Sequence, residues 1–116
     1  MRQARGEVFV FFDSDDLMRP GKLQHLRDAL QRFPTAGLVC SDFGVIDGQG
    51  ERLLSSFVQN LRFHKAIQID KQADDSVFFL TASRALELLA DENFVGTSSV
   101  ALRQGVFQQL GGFDES

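Results

Sequence analysis

Tryptophan and tyrosine are absent from this chain, cysteine occurs once and proline twice. A single cysteine excludes an internal disulfide and fits a reducing compartment. No apolar run approaches the ~18 residues of a membrane-spanning helix. Nor does the start carry a basic, apolar, small-residue leader, so no secretory signal is expected. Basic residues are outnumbered, 12 against 16 acidic ones for a net charge of -4, and no basic patch stands out. That balance excludes a nucleic-acid surface. What the chain does have is phenylalanine, 12 residues of it, within a composition that is 43% hydrophobic. That apolar content, with only ten glycines beside the two prolines, excludes disorder and a collagen-like repeat. A length of 116 residues suits one domain with one core, and residues 1–116 read as a single domain.

After a polar start, Val8-Phe9-Val10-Phe11-Phe12 is a short apolar run. Bounded by polar residues, it predicts a strand buried on both faces. It leads directly into Asp13-Ser14-Asp15-Asp16. A helix follows, with Pro20 suited to its first turn, Leu23, Leu26, Leu30 and Phe33 on one face, and Pro34 as its stop. Leu38-Val39-Cys40 predicts a second strand, with Cys40 as a buried structural thiol. Asp47-Gly48-Gln49-Gly50 is a turn signal inside a hairpin-like excursion that ends near Phe57. Residues 58–75 carry no clear period. A helix is expected within 76–90, where Phe78, Ala82, Ala85, Leu86 and Leu89 share a face. Asn93 reads as a turn residue, and 94–102 reads as extended, with Ser98 and Ser99 pairing within a sheet. Arg103 to Leu110 predicts a short helix that buries Val106, Phe107 and Leu110 and is closed by Gly111. His25, His64, Arg62, Lys65 and the Asp74-Asp75 pair read as solvated or turn residues. Strands alternating with helices predict an α/β layer with some parallel pairing.

The acidic block carries the chemistry. On a strand, Asp13 and Asp15 would point the same way, because side chains alternate with period two. Ligands of open α/β sheets bind beyond the C-terminal ends of strands. Convergent carboxylates there repel unless a cation lies between them. Their oxygens suit Mg²⁺ or Mn²⁺, which complete their shells with water and substrate phosphate. The bland reading is a solvated acidic turn with Asp16 capping the next helix.

Ala4-Arg5-Gly6, the run Val8 to Phe12, the acidic block, Pro20 and Lys22-Leu23 together resemble the core of family 2 glycosyltransferases with the GT-A fold. Ser41-Asp42 with Ile46-Asp47 and Gly50 is similar to that family's middle hairpin. Asn93-Phe94-Val95 with Ser98-Ser99-Val100 looks like its strand before the acceptor region, and Gly111-Gly112-Phe113-Asp114-Glu115 like its closing segment. The resemblance implies an α/β, partial GT-A domain, a mixed sheet flanked by helices. It implies inverting transfer from a nucleotide diphosphate sugar to a saccharide or other hydroxyl acceptor. Asp15 would ligate the metal, and Asp13 would contact the ribose or the metal's water shell. Ser14, Asp16 and Arg5 would join the substrate contacts, with Asp114 and Glu115 on the acceptor side. The implied setting is the cytoplasm, or a peripheral position on the cytoplasmic membrane face.

The chain departs from the family at both ends. The nucleotide-binding half that precedes the acidic block in the family is missing, and the general base is expected beyond Ser116. The sequence therefore reads as the central part of a glycosyltransferase domain, with little activity of its own. Loss of the upstream strands predicts self-association through an exposed sheet edge. Two other readings stand beside this one. The chain could be a non-catalytic, self-associating remnant, or a haloacid-dehalogenase-like phosphatase with Asp13 as nucleophile and Asp15 as general acid/base. Against the phosphatase, Asp16-Leu17 replaces the usual small residue and threonine, and no second acidic metal motif follows.

Overall fold

A computed structural model of the chain describes residues 4–62 and 77–114. The chain divides into two compact units, Met1–Ser41 with Thr97–Ser116, and Asp42–Gly96. Both mix helix with antiparallel sheet. Among the described residues no helix is long and apolar enough to cross a membrane.

The first unit holds a sheet of three short strands, β1 (Val8–Val10), β2 (Leu38–Cys40) and β5 (Val100–Arg103), in the order β1-β5-β2. Both ladders are antiparallel, with Phe9 opposite Leu102 and Val39 opposite Ala101. The parallel pairing expected from strand–helix alternation is thus not present among the described strands. β1 and β2 do run the same way, but β5 lies between them and takes both ladders. Its composition suits the centre: Val100, Ala101 and Leu102 are all buried, Ala101 completely. β1, by contrast, has one neighbour among the described strands and is only half-buried. The apolar run thus forms a strand of three residues rather than five, it is not buried on both faces as expected, and Phe12 is 44% exposed.

Helix α1 (Lys22–Arg32) packs on β2 and buries Leu26, Ala29 and Leu30, the i, i+3, i+4 stripe of an amphipathic helix. Leu23 lies in the first turn, past the end of this stripe, and is exposed, contrary to the expected face. Gly21 caps the helix, so Pro20 stands before the cap and not in the first turn. Phe33, held out of helical geometry ahead of Pro34, ends it. The carbonyls left over there are taken by Arg103 of β5. Its guanidinium donates to Leu30 O at 2.6 Å, Ala36 O at 2.7 Å and Phe33 O at 3.4 Å. A cation at a helix C-terminus satisfies orphan acceptors and opposes the dipole.

Helix α3 (Gln104–Leu110) closes at Gly111, whose φ of 77° is a left-handed conformation that favours glycine. Val106 and Phe107 are half-buried, with Phe107 edge-on to Phe9 at 5.4 Å. Leu110 is 70% exposed, contrary to expectation, because it sits in the last turn before the chain leaves the helix.

In the second unit, β3 (Val45–Ile46) and β4 (Arg52–Leu54) form the expected hairpin. Asp47 builds its turn: Oδ1 accepts from the amides of Gln49 and Glu51, both at 2.9 Å. Gly44 lets the strands meet, since a Cβ there would lie 2.8 Å from Leu54 O. A short 3-10 helix, Val58–Asn60, follows. Helix α2 (Ala82–Asp91) starts at Thr81, whose hydroxyl accepts from the Arg84 amide. Its buried residue is Leu88, while Phe78, Leu86 and Leu89 are exposed, so the buried face is rotated from the one expected. Three leucines within four positions, Leu86, Leu88 and Leu89, support more than one stripe, and packing selected Leu88. Asn93 makes the expected turn, its Oδ1 accepting from Val95 N. His64, Lys65 and Asp74-Asp75 lie outside the described residues.

Candidate functional site

The acidic block is a turn, not the end of a strand. β1 stops at Val10, and one further ladder bond runs from Phe11 N to Val100 O at 3.2 Å. Beyond Val100 the partner backbone curls into a 3-10 turn, Thr97–Ser99, and offers no further ladder. The chain then closes on itself, Asp16 N donating to Asp13 O at 3.2 Å with Ser14 and Asp15 at the corner. Serine and aspartate favour such turns. The period-two argument that aimed Asp13 and Asp15 the same way therefore does not apply here. Asp16 does not cap α1 either, because Gly21 holds that position.

Two residues that sequence reasoning missed shape this turn. Ser98 Oγ accepts a hydrogen bond from the Asp13 amide at 2.8 Å. Lys22, the first residue of α1, reaches back and donates from Nζ to Ser98 O. Ser98 thus joins the acidic turn to the start of α1, instead of pairing within a sheet as expected. Nothing local to Ser98 in the sequence signals this, since its partner amide is 85 residues away. Ser99 keeps a ladder-like contact, its carbonyl accepting from Ser41 N at 3.0 Å.

Asp13, Ser14, Asp15 and Asp16 are all exposed. Their carboxylates accept no hydrogen bond and form no ion pair among the described residues. No three metal-ligating side chains converge among the described residues. A hard cation needs only one or two carboxylates when water and phosphate complete its shell. Asp13 and Asp15, with oxygens free toward solvent, fit that smaller requirement.

The remaining candidates separate. Phe113 packs edge-on to Phe11 at 5.4 Å, which brings the Gly111–Asp114 segment to the same end of β1 as the acidic turn. Asp114 is exposed there, and Glu115 lies outside the described residues. Arg5 is exposed before the opposite end of β1, and no hydrogen bond or ion pair joins it to the acidic turn. Cys40, on β2, is half-buried, and burial pushes its thiol up from the ordinary value. That disfavours the thiolate and agrees with a structural role.

Residues 1–94 match the model of Glycosyl transferase family 2, and the chain belongs to that family. Comparison with curated proteins and with solved structures found no match. The mixed α/β architecture is consistent with the GT-A class expected from the resemblance. The matched span contains the acidic turn, whereas Ser98, β5 and the Gly111–Glu115 segment lie beyond it. Family membership supports a transferase-like enzyme and leaves the phosphatase reading without support.

Proposed function

We propose that this chain serves inverting glycosyl transfer from a nucleotide diphosphate sugar to an acceptor hydroxyl, with Mg²⁺ or Mn²⁺ held at Asp15 and Asp13. The observation that carries the reading is the acidic turn just after β1, exposed and with its carboxylates unengaged among the described residues. When bound, the cation would supply Lewis-acid stabilisation of the departing diphosphate. The chain's own contribution is orientation. Ser98 fixes the backbone at Asp13, and Lys22 fixes Ser98. Such second-layer support keeps ligand oxygens in place before the cation arrives. Ser14, Asp16 and Arg5 complete the donor contacts in this proposal, and Asp114 and Glu115 face the acceptor. In the reaction the acceptor oxygen bonds to the anomeric carbon as the sugar–diphosphate bond breaks, and a base takes the hydroxyl proton. None of the residues named here is assigned to that proton.

The test is calorimetric titration of UDP, with and without Mn²⁺, into the chain and into Asp15→Asn. The expected result is Mn²⁺-dependent binding that Asp15→Asn weakens at least ~10-fold. Absence of binding, or binding indifferent to both Mn²⁺ and the substitution, would overturn the proposal.

A further inference from the structure

We propose that Lys22 is a further donor-site residue, whose ammonium pairs with the anionic diphosphate held at the acidic turn. This role presumes the donor site proposed above and goes beyond the bracing of Ser98. Lys22 opens α1, directly after Gly21, and is half-buried. Its Nζ carries three N–H donors. Among the described residues they meet one acceptor, the neutral carbonyl of Ser98. No carboxylate pairs with Lys22 among those residues, although the same serine anchors a turn that bears three of them. Charge that leaves water is ordinarily matched by an opposite charge, because its desolvation is costly. Position in the helix adds to the deficit. An ammonium in the first turn opposes the helix dipole, and the first turn of α1 has no acidic residue to offset it. Gly21 supplies no side-chain cap either. Positive charge is therefore gathered beside the acidic turn without a counter-ion among the described residues.

Ser98 fixes where this charge stands. Its carbonyl takes Lys22 Nζ, and its hydroxyl takes the Asp13 amide at 2.8 Å. One residue thus separates the ammonium from the backbone of the acidic turn. The carboxylates of Asp13 and Asp15 can hold a phosphate only through a cation, because like charges repel. An ammonium holds phosphate oxygens directly, as a point charge with donors in several directions. With donors to spare, Nζ can keep Ser98 O and take a phosphate oxygen at the same time. The two kinds of charge divide the ligand between them. Asp13 and Asp15 hold its cation, and Lys22 holds the phosphate charge that the cation leaves over.

The test is a double-mutant cycle on UDP affinity, measured by calorimetry with Mn²⁺ present. Ser98→Ala removes the hydroxyl through which any bracing by Lys22 reaches Asp13. Lys22→Gln is expected to weaken UDP binding about tenfold in the wild-type chain, and by the same factor in the Ser98→Ala chain. Lys22→Arg keeps the charge and is expected to bind UDP within about threefold of wild type. Slow amide exchange in β5 identifies each variant as folded. An effect of Lys22→Gln that disappears in the Ser98→Ala background means that Lys22 acts only through Ser98, and overturns the proposal. So does a UDP affinity indifferent to Lys22→Gln, or a Lys22→Arg chain as weak as Lys22→Gln. A wild-type chain without Mn²⁺-dependent UDP binding overturns the donor site itself, and the role of Lys22 with it.

Discussion

The two units of this chain reach order by different means. The first is held by long-range backbone pairing around β5, whose three leading residues are buried. The second has few buried apolar side chains among its described residues, chiefly Leu88 and Phe94. Polar side chains do much of its organising. Asp42 Oδ1 accepts from Phe43 N at 2.8 Å and from Val58 N at 3.0 Å, while Oδ2 accepts from the Ser56 hydroxyl. Ser56, itself buried, accepts in turn from Gln59 N, and Asn60 reaches back to Ser56 O. Phe43 and Phe57, stacked at 4.6 Å, close the same loop. A sheet draws its stability from strands distant in sequence, whereas a capped loop draws it from hydrogen bonds that satisfy exposed backbone groups.

This contrast can be broken at its strongest point first. Leu30→Ala removes a side chain only 2% exposed from beneath the first unit's sheet. It should destabilise that unit by about 3 kcal/mol, read by urea unfolding. Equal loss of amide protection in 42–62 and in the sheet would show that the two units do not unfold separately. Asp42→Ala strikes the second unit, taking away three accepted hydrogen bonds and leaving the Ser56 hydroxyl without its acceptor. A loss of about 1.5 kcal/mol is expected, since the site is largely exposed. Hydrogen exchange should speed up around Phe43 and Val58 and leave β5 unchanged. Smallest is Ser98→Ala, about 1 kcal/mol from one hydrogen bond. Its sharper readout is local: the Asp13 amide should exchange faster, and Mn²⁺-dependent UDP binding should weaken while the sheet stays intact.

Elements with a local cause were legible in the sequence. The Asp47 turn, the Pro34 stop, the Gly111 closure and the Asn93 turn all depend on a residue acting on its near neighbours. Features decided by distant partners were not. The apolar run at Val8 to Phe12 reads as a strand buried on both faces, yet burial depends on what the fold places against a strand, and β5 takes the buried position while β1 is only half-buried. Ser98 gave no hint of its contact with Asp13, and the helical stripe of α2 was ambiguous until packing chose Leu88. At the candidate site the residue types were readable and their arrangement was not. Aspartates after an apolar strand announced themselves, but the turn that displaces them from strand geometry exists because the partner backbone curls away at Thr97–Ser99.

The position of β5 also sets an order in time. A ribosome makes β1, the acidic turn, α1 and β2 before β5, and domains assemble only as their parts emerge. Among the described strands β1 and β2 pair with β5 and not with each other, so their ladders wait for β5. Ser98, which holds the Asp13 amide, is also among the late residues. The acidic motif therefore stays without its Ser98 anchor until a further 85 residues have been made. A product released before Val100 would contain every aspartate of the turn and neither of the ladders that β5 makes.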